Sequence, residues 1–349
     1  MAKSGVIGLD IGTTSVRAAE VVGGRGRQGG TLVRYGEVAL PPGAVRDGEV
    51  ADQPTVTAAL KQLWAGAKFS TRQVNIGIGN QRVVVREMEL PWMPLPQLKA
   101  SLPFQVQEML PMSTDEALLD FYPTGEVTTA AGRMVQGMLV AATKDTVRAN
   151  VMAVESAGLR PQLVDLSPFA LMRAVVHGEM AGRTVAVVDI GARITQVIIA
   201  AEGTPRFVRV LPSGGGNVTD AVAGALGCSA PDAEAIKREV GIGFAVPPER
   251  TAAAEAISNV VRPLVEAVRN TFVYYASNHP GAGIDMVVLT GGGSQLPGLG
   301  QYLASASRLA VSMADPLSIL RVGKGLGIDP SRHATFPAMP LGLAYGVAA

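Results

Sequence analysis

Cysteine is almost absent from this chain: Cys228 stands alone, so no intramolecular disulfide can form. Histidine is nearly as scarce. His177, His279 and His333 are scattered without ligand spacing, which argues against a metal site built from them. Charge of one sign is missing too; at a net +1 the chain feels no strong electrostatic pull toward nucleic acid or acidic membranes. The glycine-rich stretch at 23–30 carries only Arg25 and Arg27, too few for RNA contact, and reads as a solvated loop. No apolar run approaches the ~20 residues that span a bilayer, and the N-terminus lacks a charged region followed by an apolar run and a cleavage site. A cytoplasmic location is expected, with any membrane association borrowed from a partner. Aromatics, at 5%, leave alanine, valine, leucine and glycine to fill the interior. A Walker loop is absent, and so is a Rossmann fingerprint, because the first strand returns as a strand where that fold enters a helix.

What is present is glycine after strands. At 349 residues the chain exceeds the size at which one core usually stops growing, and 48% hydrophobic against 17% charged residues is enough for two lobes. Residues 6–10 read as a short buried strand, Gly12-Thr13-Thr14 as a tight turn and residues 16–22 as the returning strand. Hydroxyl and N–H groups gathered in a glycine turn form an anion-binding concavity, and a carboxylate just before it, Asp10, can hold a metal ion through water. The pattern recurs. Residues 185–199 repeat strand, Asp189-Ile190-Gly191, polar turn and strand, which suggests a duplicated domain with two facing phosphate loops. A third glycine turn, Ser213-Gly214-Gly215-Gly216-Asn217, precedes a helix over 218–225, where free N–H groups and the helix dipole favour an anion. A fourth, Gly291-Gly292-Gly293-Ser294, follows a buried strand at 286–290 and lets backbone approach a flat ligand or a phosphate. A periodic apolar helix over 251–278, a proline-interrupted helix over 97–110 and a helix over 145–157 closed by Gly158 complete an alternating α/β chain.

In this order the four segments resemble the actin-like ATPase superfamily. Residues 5–22 look like its phosphate-1 motif, 185–199 like phosphate-2 and 286–300 like the adenosine motif, with 163–174 and 340–346 similar to its two connecting helices. Within the superfamily the chain is most similar to the PilM and FtsA branch, through Leu40-Pro41-Pro42-Gly43-Ala44-Val45-Arg46-Asp47-Gly48, the stretch 105–111, Ala233-Glu234-Ala235-Ile236-Lys237 and Leu296-Pro297-Gly298-Leu299. The resemblance implies an α/β actin-like ATPase fold with two duplicated lobes around a nucleotide cleft. It places the first lobe at 1–37 and 160–183, an inserted subdomain at 38–159, and the second lobe at 184–349 with a C-terminal helix returning to the first. ATP and Mg²⁺ are the implied ligands. The implied role is type IV pilus assembly at the inner face of the cytoplasmic membrane, with a PilN-like bitopic membrane protein and other pilus platform proteins as partners. The PilN-like N-terminal tail would lie in a groove between the first lobe and the inserted subdomain. Neither nucleic acid nor direct membrane insertion is expected.

Residue by residue, the resemblance gives Asp10 and Asp189 to Mg²⁺, through water and from opposite walls of the cleft. Gly12, Thr13 and Thr14 would wrap the terminal phosphates, Arg17 would supply them with positive charge, and Gly191 would let the second hairpin close over them. Gly214, Gly215, Gly216 and Asn217 would approach the inner phosphates and ribose. Glu234 and Lys237 would bind ribose and flank adenine, the plainer alternative being a surface i,i+3 ion pair. Gly291, Gly292 and Gly293 would lie beneath the base. For hydrolysis, Asp165 is the candidate catalytic residue beside Ser167; it is short, and without a well-placed base ATP is bound and turned over slowly or not at all. A small-molecule kinase of the same superfamily is an alternative that needs an aspartate base and a polar cleft floor. An FtsA-like division protein would add a C-terminal amphipathic membrane helix, which is not expected from Gly346-Val347-Ala348-Ala349. A secretion-system relative of the same fold stays open.

Overall fold

The computed structural model describes residues 5–23, 29–130, 132–326, 328 and 335–346. His333 and part of the loop at 23–30 lie outside the described residues. Strands β1 (Val6–Ile11) and β2 (Ser15–Val22) form an antiparallel hairpin that pairs Asp10 with Arg17, and Ile7 and Leu9 are fully buried. Strand β3 (Thr31–Ala39) adds antiparallel to β2. A short ribbon of β4 (Val45–Arg46) and β5 (Glu49–Val50) follows. Helix α1 (Gln53–Ala67) starts at Asp52, whose carboxylate accepts from the Thr55 amide, and buries Leu60 and Leu63 on the β2–β3 side of the sheet. Strand β6 (Gln73–Ile78) then lies parallel to β1.

That pairing narrows the inserted unit. The subdomain expected over 38–159 would contain α1 and β6, yet β6 is a strand of the first sheet and α1 packs on its β2 and β3. The part with a sheet of its own runs through β7 (Val84–Pro91), α2 (Leu95–Gln105), β8 (Ala117–Thr129) and β9 (Gly132–Thr143), in the order β7-β9-β8. Leu90, Leu98, Leu102, Phe121 and Leu139 form its core. Helix α2 ends at Gln105, short of the expected residue 110, because Pro103 removes an N–H from its last turn. Helix α3 (Lys144–Ser156) leads back through Gly158, and β10 (Arg160–Leu166) joins the first sheet beside β6. Helix α4 (Ser167–Val175), nearly all buried, crosses to the second lobe.

There, β11 (Thr184–Ile190), β12 (Thr195–Ala201) and β13 (Thr204–Leu211) form an antiparallel meander. Helices α5 (Gly215–Leu226), α6 (Ala230–Val240) and α7 (Thr251–Asn278) follow; α7 fills the whole span its periodicity predicts. Strand β14 (Met286–Thr290), helix α8 (Leu299–Ser307) and strand β15 (Ala310–Met313) close the lobe. The order β13-β12-β11-β14-β15 repeats β3-β2-β1-β6-β10 strand for strand, so the duplication suggested by the two Asp-Ile-Gly hairpins extends to both sheets.

The chain then returns to the first lobe. Strand β16 (Arg321–Val322) pairs with β3, and helix α9 (Ala338–Ala344) packs on α4 and β1. Contact there is close enough that a Cβ on Gly342 would stand 1.9 Å from the Ala170 carbonyl. Asn75 Nδ2 donates to the Leu343 carbonyl at 2.9 Å. Phe169 of α4 and Leu341 of α9 share one core with Val21 and Leu32 of the first sheet and Val187 and Ile198 of the second. The two helices therefore sit between the sheets and join the lobes. Among the described residues, no helix is long and apolar enough to cross a membrane.

Candidate functional site

The first hairpin closes through the Gly12 amide, which donates to the Ser15 carbonyl at 3.0 Å, with Thr13 and Thr14 at the tip. Directly behind the tip, Arg17 lies with a guanidinium nitrogen 3.6 Å from Asp10 and its Nε donating to Glu37 at 2.9 Å. Tyr35 donates to the other Glu37 oxygen at 3.1 Å. The arginine expected to face phosphates is thus already engaged by two carboxylates. Burial pushes the Asp10 carboxyl up, and Arg17 pulls it partly back.

The second hairpin repeats the geometry. The Gly191 amide donates to the Ile194 carbonyl at 2.9 Å, and Asp189 stands opposite Gln196. Burial, with the charge of Asp10 added to it, pushes Asp189 up to about 7 despite Arg17. The charge of Asp10 is thus felt at Asp189, across from the first hairpin. Among the described residues, no cluster of three or more His, Cys, Asp or Glu side chains could hold a metal by itself. A hard cation at this pair would draw most of its ligands from water and from an anionic ligand, the habit of Mg²⁺. Two half-buried carboxylates at the ends of strands, each still open to solvent on one side, fit such an ion.

The third glycine turn departs from expectation. Its amides are not free: Gly214 donates to Asn217 Oδ1 at 3.0 Å, Gly215 to the Gly191 carbonyl at 2.9 Å and Gly216 to the Ala192 carbonyl at 2.7 Å. The first turn of α5 is stitched to the second hairpin, so these groups shape the site from behind and do not wait for an anion. Gly291 follows the same logic. Its φ is +84°, and a Cβ there would stand 2.5 Å from the Ile190 carbonyl and 2.6 Å from an Asp189 oxygen. Gly292, in contrast, faces open space.

Beneath these turns lies a cavity of about 160 Å³. Gly214, Gly215, Gly292 and Gly293 form one wall, Val261 and Leu264 of α7 another, and Glu234 and Lys237 of α6 stand beside them. Lys237 is buried, and its ammonium donates to the Gly215 carbonyl at 3.2 Å, Thr219 Oγ1 at 3.0 Å and Glu234 at 2.5 Å. Thr219 and Arg238 also donate to Glu234. Burial pushes the Glu234 carboxyl up, but these donors outweigh it and hold the group below its usual range. The pair is therefore no ordinary surface i,i+3 contact, because Lys237 ties α6 to the start of α5.

Asp165 belongs elsewhere. It pairs with Arg173 and accepts from its neighbour's amide at Leu166, while Arg173 also donates to the Gly342 carbonyl at 3.2 Å. The candidate catalytic carboxylate is thus a tie between β10, α4 and α9. Sequence reading missed Gln196, a buried side chain whose Nε2 lies 3.5 Å from the Gly79 carbonyl of the other lobe. Its signal was available: it holds the cross-strand place in the second hairpin that Arg17 holds in the first. Arg238, Gln295 and the two α7 residues of the cavity carried no motif.

Four likenesses to known proteins bear on this arrangement. Escherichia coli (strain K12) cell division protein FtsA is 28% identical over 211 residues, covering 52% of this chain and 49% of FtsA, so the chain spans about half the length of that relative. The structure of MreB5 of Spiroplasma citri bound to ADP superposes with a TM-score of 0.55 at 13% identity, covering 90% of this chain and 92% of that one, a likeness of fold. The PilM-PilN type IV pilus biogenesis complex superposes with a TM-score of 0.84 at 27% identity, covering 97% of each chain. The family described as type IV pilus assembly protein PilM matches residues 8–346, and with an actin-like fold built on two mirrored hairpins the chain belongs to that family.

Proposed function

We propose that this chain is an ATP-binding actin-like scaffold that presents a groove to the cytoplasmic N-terminal tail of a PilN-like membrane protein. The observation that carries the reading is the coincidence of two half-buried hairpin carboxylates, Asp10 and Asp189, with a cavity lined by the Gly-Gly-Gly turn and by Glu234 and Lys237. Asp10 and Asp189 would hold Mg²⁺ through water, and Thr13 and Thr14 would meet the terminal phosphates. When bound, the metal supplies the positive charge that lets both carboxylates stay ionised. Glu234 and Lys237 orient the ribose side of the cavity, and Val261 and Leu264 give the base an apolar wall. The partner's identity is supported by the 97% mutual coverage with a chain solved together with PilN. The chain would then sit at the inner face of the membrane through that partner.

Titrating the full chain with a peptide of a PilN-like N-terminal tail, with and without Mg·ATP, tests both halves. Binding that changes about fivefold or more with nucleotide is expected, the ordinary size of a coupling between two sites. Equal peptide affinity in both conditions removes the nucleotide's influence, and absence of peptide binding removes the partner.

A further inference from the structure

The inserted unit is connected to the first lobe, and it meets the second both through apolar packing, with Met138 of β9 in the core that holds Val187 and Val208, and through a polar contact at its edge. Its chain enters from β6 and leaves into α3, both first-lobe elements. Its outer strand β7, however, lies against β13, the outer strand of the second lobe's sheet, with no ladder joining the two sheets. At that contact Glu87 of β7 meets His279, whose Nε2 lies 2.7 Å from one carboxylate oxygen, and Arg206 of β13, 3.9 Å from the other.

Both partners of Glu87 are firmly seated. His279 ends α7, and its ring stacks on the buried Tyr275 at 4.3 Å between centroids. The next aromatic of the helix, Tyr274, contacts Phe207 of β13 at 5.5 Å. Arg206 and His279 thus belong to one rigid corner of the second lobe. Helix α7 runs from that corner to the cavity, where Val261 and Leu264 form the wall. The distance from Leu264 to His279 along the axis is about 22 Å, at 1.5 Å per residue. Pro263 interrupts the hydrogen-bond ladder at the cavity end, the usual place for a helix to bend.

We propose that Glu87, gripped by His279 and Arg206, is the joint through which the inserted three-stranded unit follows the second lobe. A ligand that changes the angle between the lobes, or the set of α7 at the cavity wall, must then either carry the inserted unit along or break this joint. Rigid elements with two arrangements are what coupling between distant sites requires. The inference rests on the cleft being the ligand site, and it adds the place where that site is read by the rest of the molecule.

Amide hydrogen exchange on the full chain, with and without saturating Mg·ATP and with nucleotide affinity measured on the same samples, tests it. Exchange along β7 in the wild type is expected to change by about threefold or more on nucleotide binding. Glu87→Gln should abolish that response while nucleotide remains bound, and the double change Arg206→Gln with His279→Gln should abolish it from the other side. A wild-type-sized response in either variant overturns the proposal, as does a saturated wild type whose β7 does not respond. If Mg·ATP fails to bind the wild type, the proposed function falls and the joint is read without ligand. Glu87→Gln alone should then speed exchange in β7 by about threefold, and unchanged exchange overturns the joint by itself.

Discussion

Arg17 stands directly across the ladder from Asp10, with its guanidinium 3.6 Å from the carboxylate, whereas the same place opposite Asp189 is held by the neutral Gln196. The two hairpins are alike in backbone and unlike in charge. One aspartate has a cation of its own and the other has none. Asp10 is thus paired within its own lobe, and Asp189 faces only an amide across its ladder.

Stability should fall with rising pH through Asp189. Its folded value of about 7 lies above the 3.8 of the exposed group, so the folded chain binds a proton there that the unfolded chain has lost. That contribution is fully present below about pH 4 and disappears as pH rises through about 7. Between about pH 5 and about pH 8 the wild type is expected to lose stability relative to Asp189→Asn, which cannot titrate. Denaturant melts of both proteins across that range check it, and parallel profiles would contradict the assignment.

Removing the other carboxylate should cost nucleotide. Asp10→Ala is expected to weaken Mg·ATP binding about tenfold or more, equivalent to ~1.4 kcal/mol. Calorimetric titration measures this, and wild-type affinity in the variant would take Asp10 out of the site.

Asp165 should behave as a structural residue. Asp165→Ala leaves Arg173 partly buried without its carboxylate, beside α9, at a cost of about 3 kcal/mol. The midpoint of unfolding should drop, with Mg·ATP affinity held at the wild-type value. Unchanged stability with altered nucleotide binding would restore the carboxylate to the cleft.

Gly342→Ala should loosen the join between lobes. The added methyl would stand on the Ala170 carbonyl, and overpacking of this kind costs about 1–3 kcal/mol. Thermal melts should show the loss, and a melting temperature equal to the wild type's would mean that α9 docks with room to spare.

Local chemistry was readable in the sequence and long-range pairing was not. Both hairpins, the cap at Asp52 and the whole of α7 follow from turn residues, a capping side chain and apolar spacing, all written within a few residues of where they act. The place of β6 depends on a partner 67 residues earlier, Gly8 pairing with Asn75, and nothing in residues 73–78 says whether they extend the first sheet or start another. The glycines of the third turn read as free amides waiting for an anion, yet in the fold each is already bonded. What they approach, the carbonyls of Gly191 and Ala192, became visible only with the fold. Asp165 shows the same limit, since Arg173, eight positions on, meets it only after α4 has turned back over β10.

The return of α9 to β1 has a bearing on synthesis. Everything the second sheet needs lies between residues 184 and 313 in one uninterrupted stretch, so that half can settle while the remainder is still emerging. The half begun earlier is completed later: Ile7 and Leu9 leave the ribosome more than three hundred residues ahead of Leu341 and Leu343, whose helix packs against their strand. Until it does, a nascent first lobe presents an unfilled apolar seat beneath a hairpin that is otherwise complete.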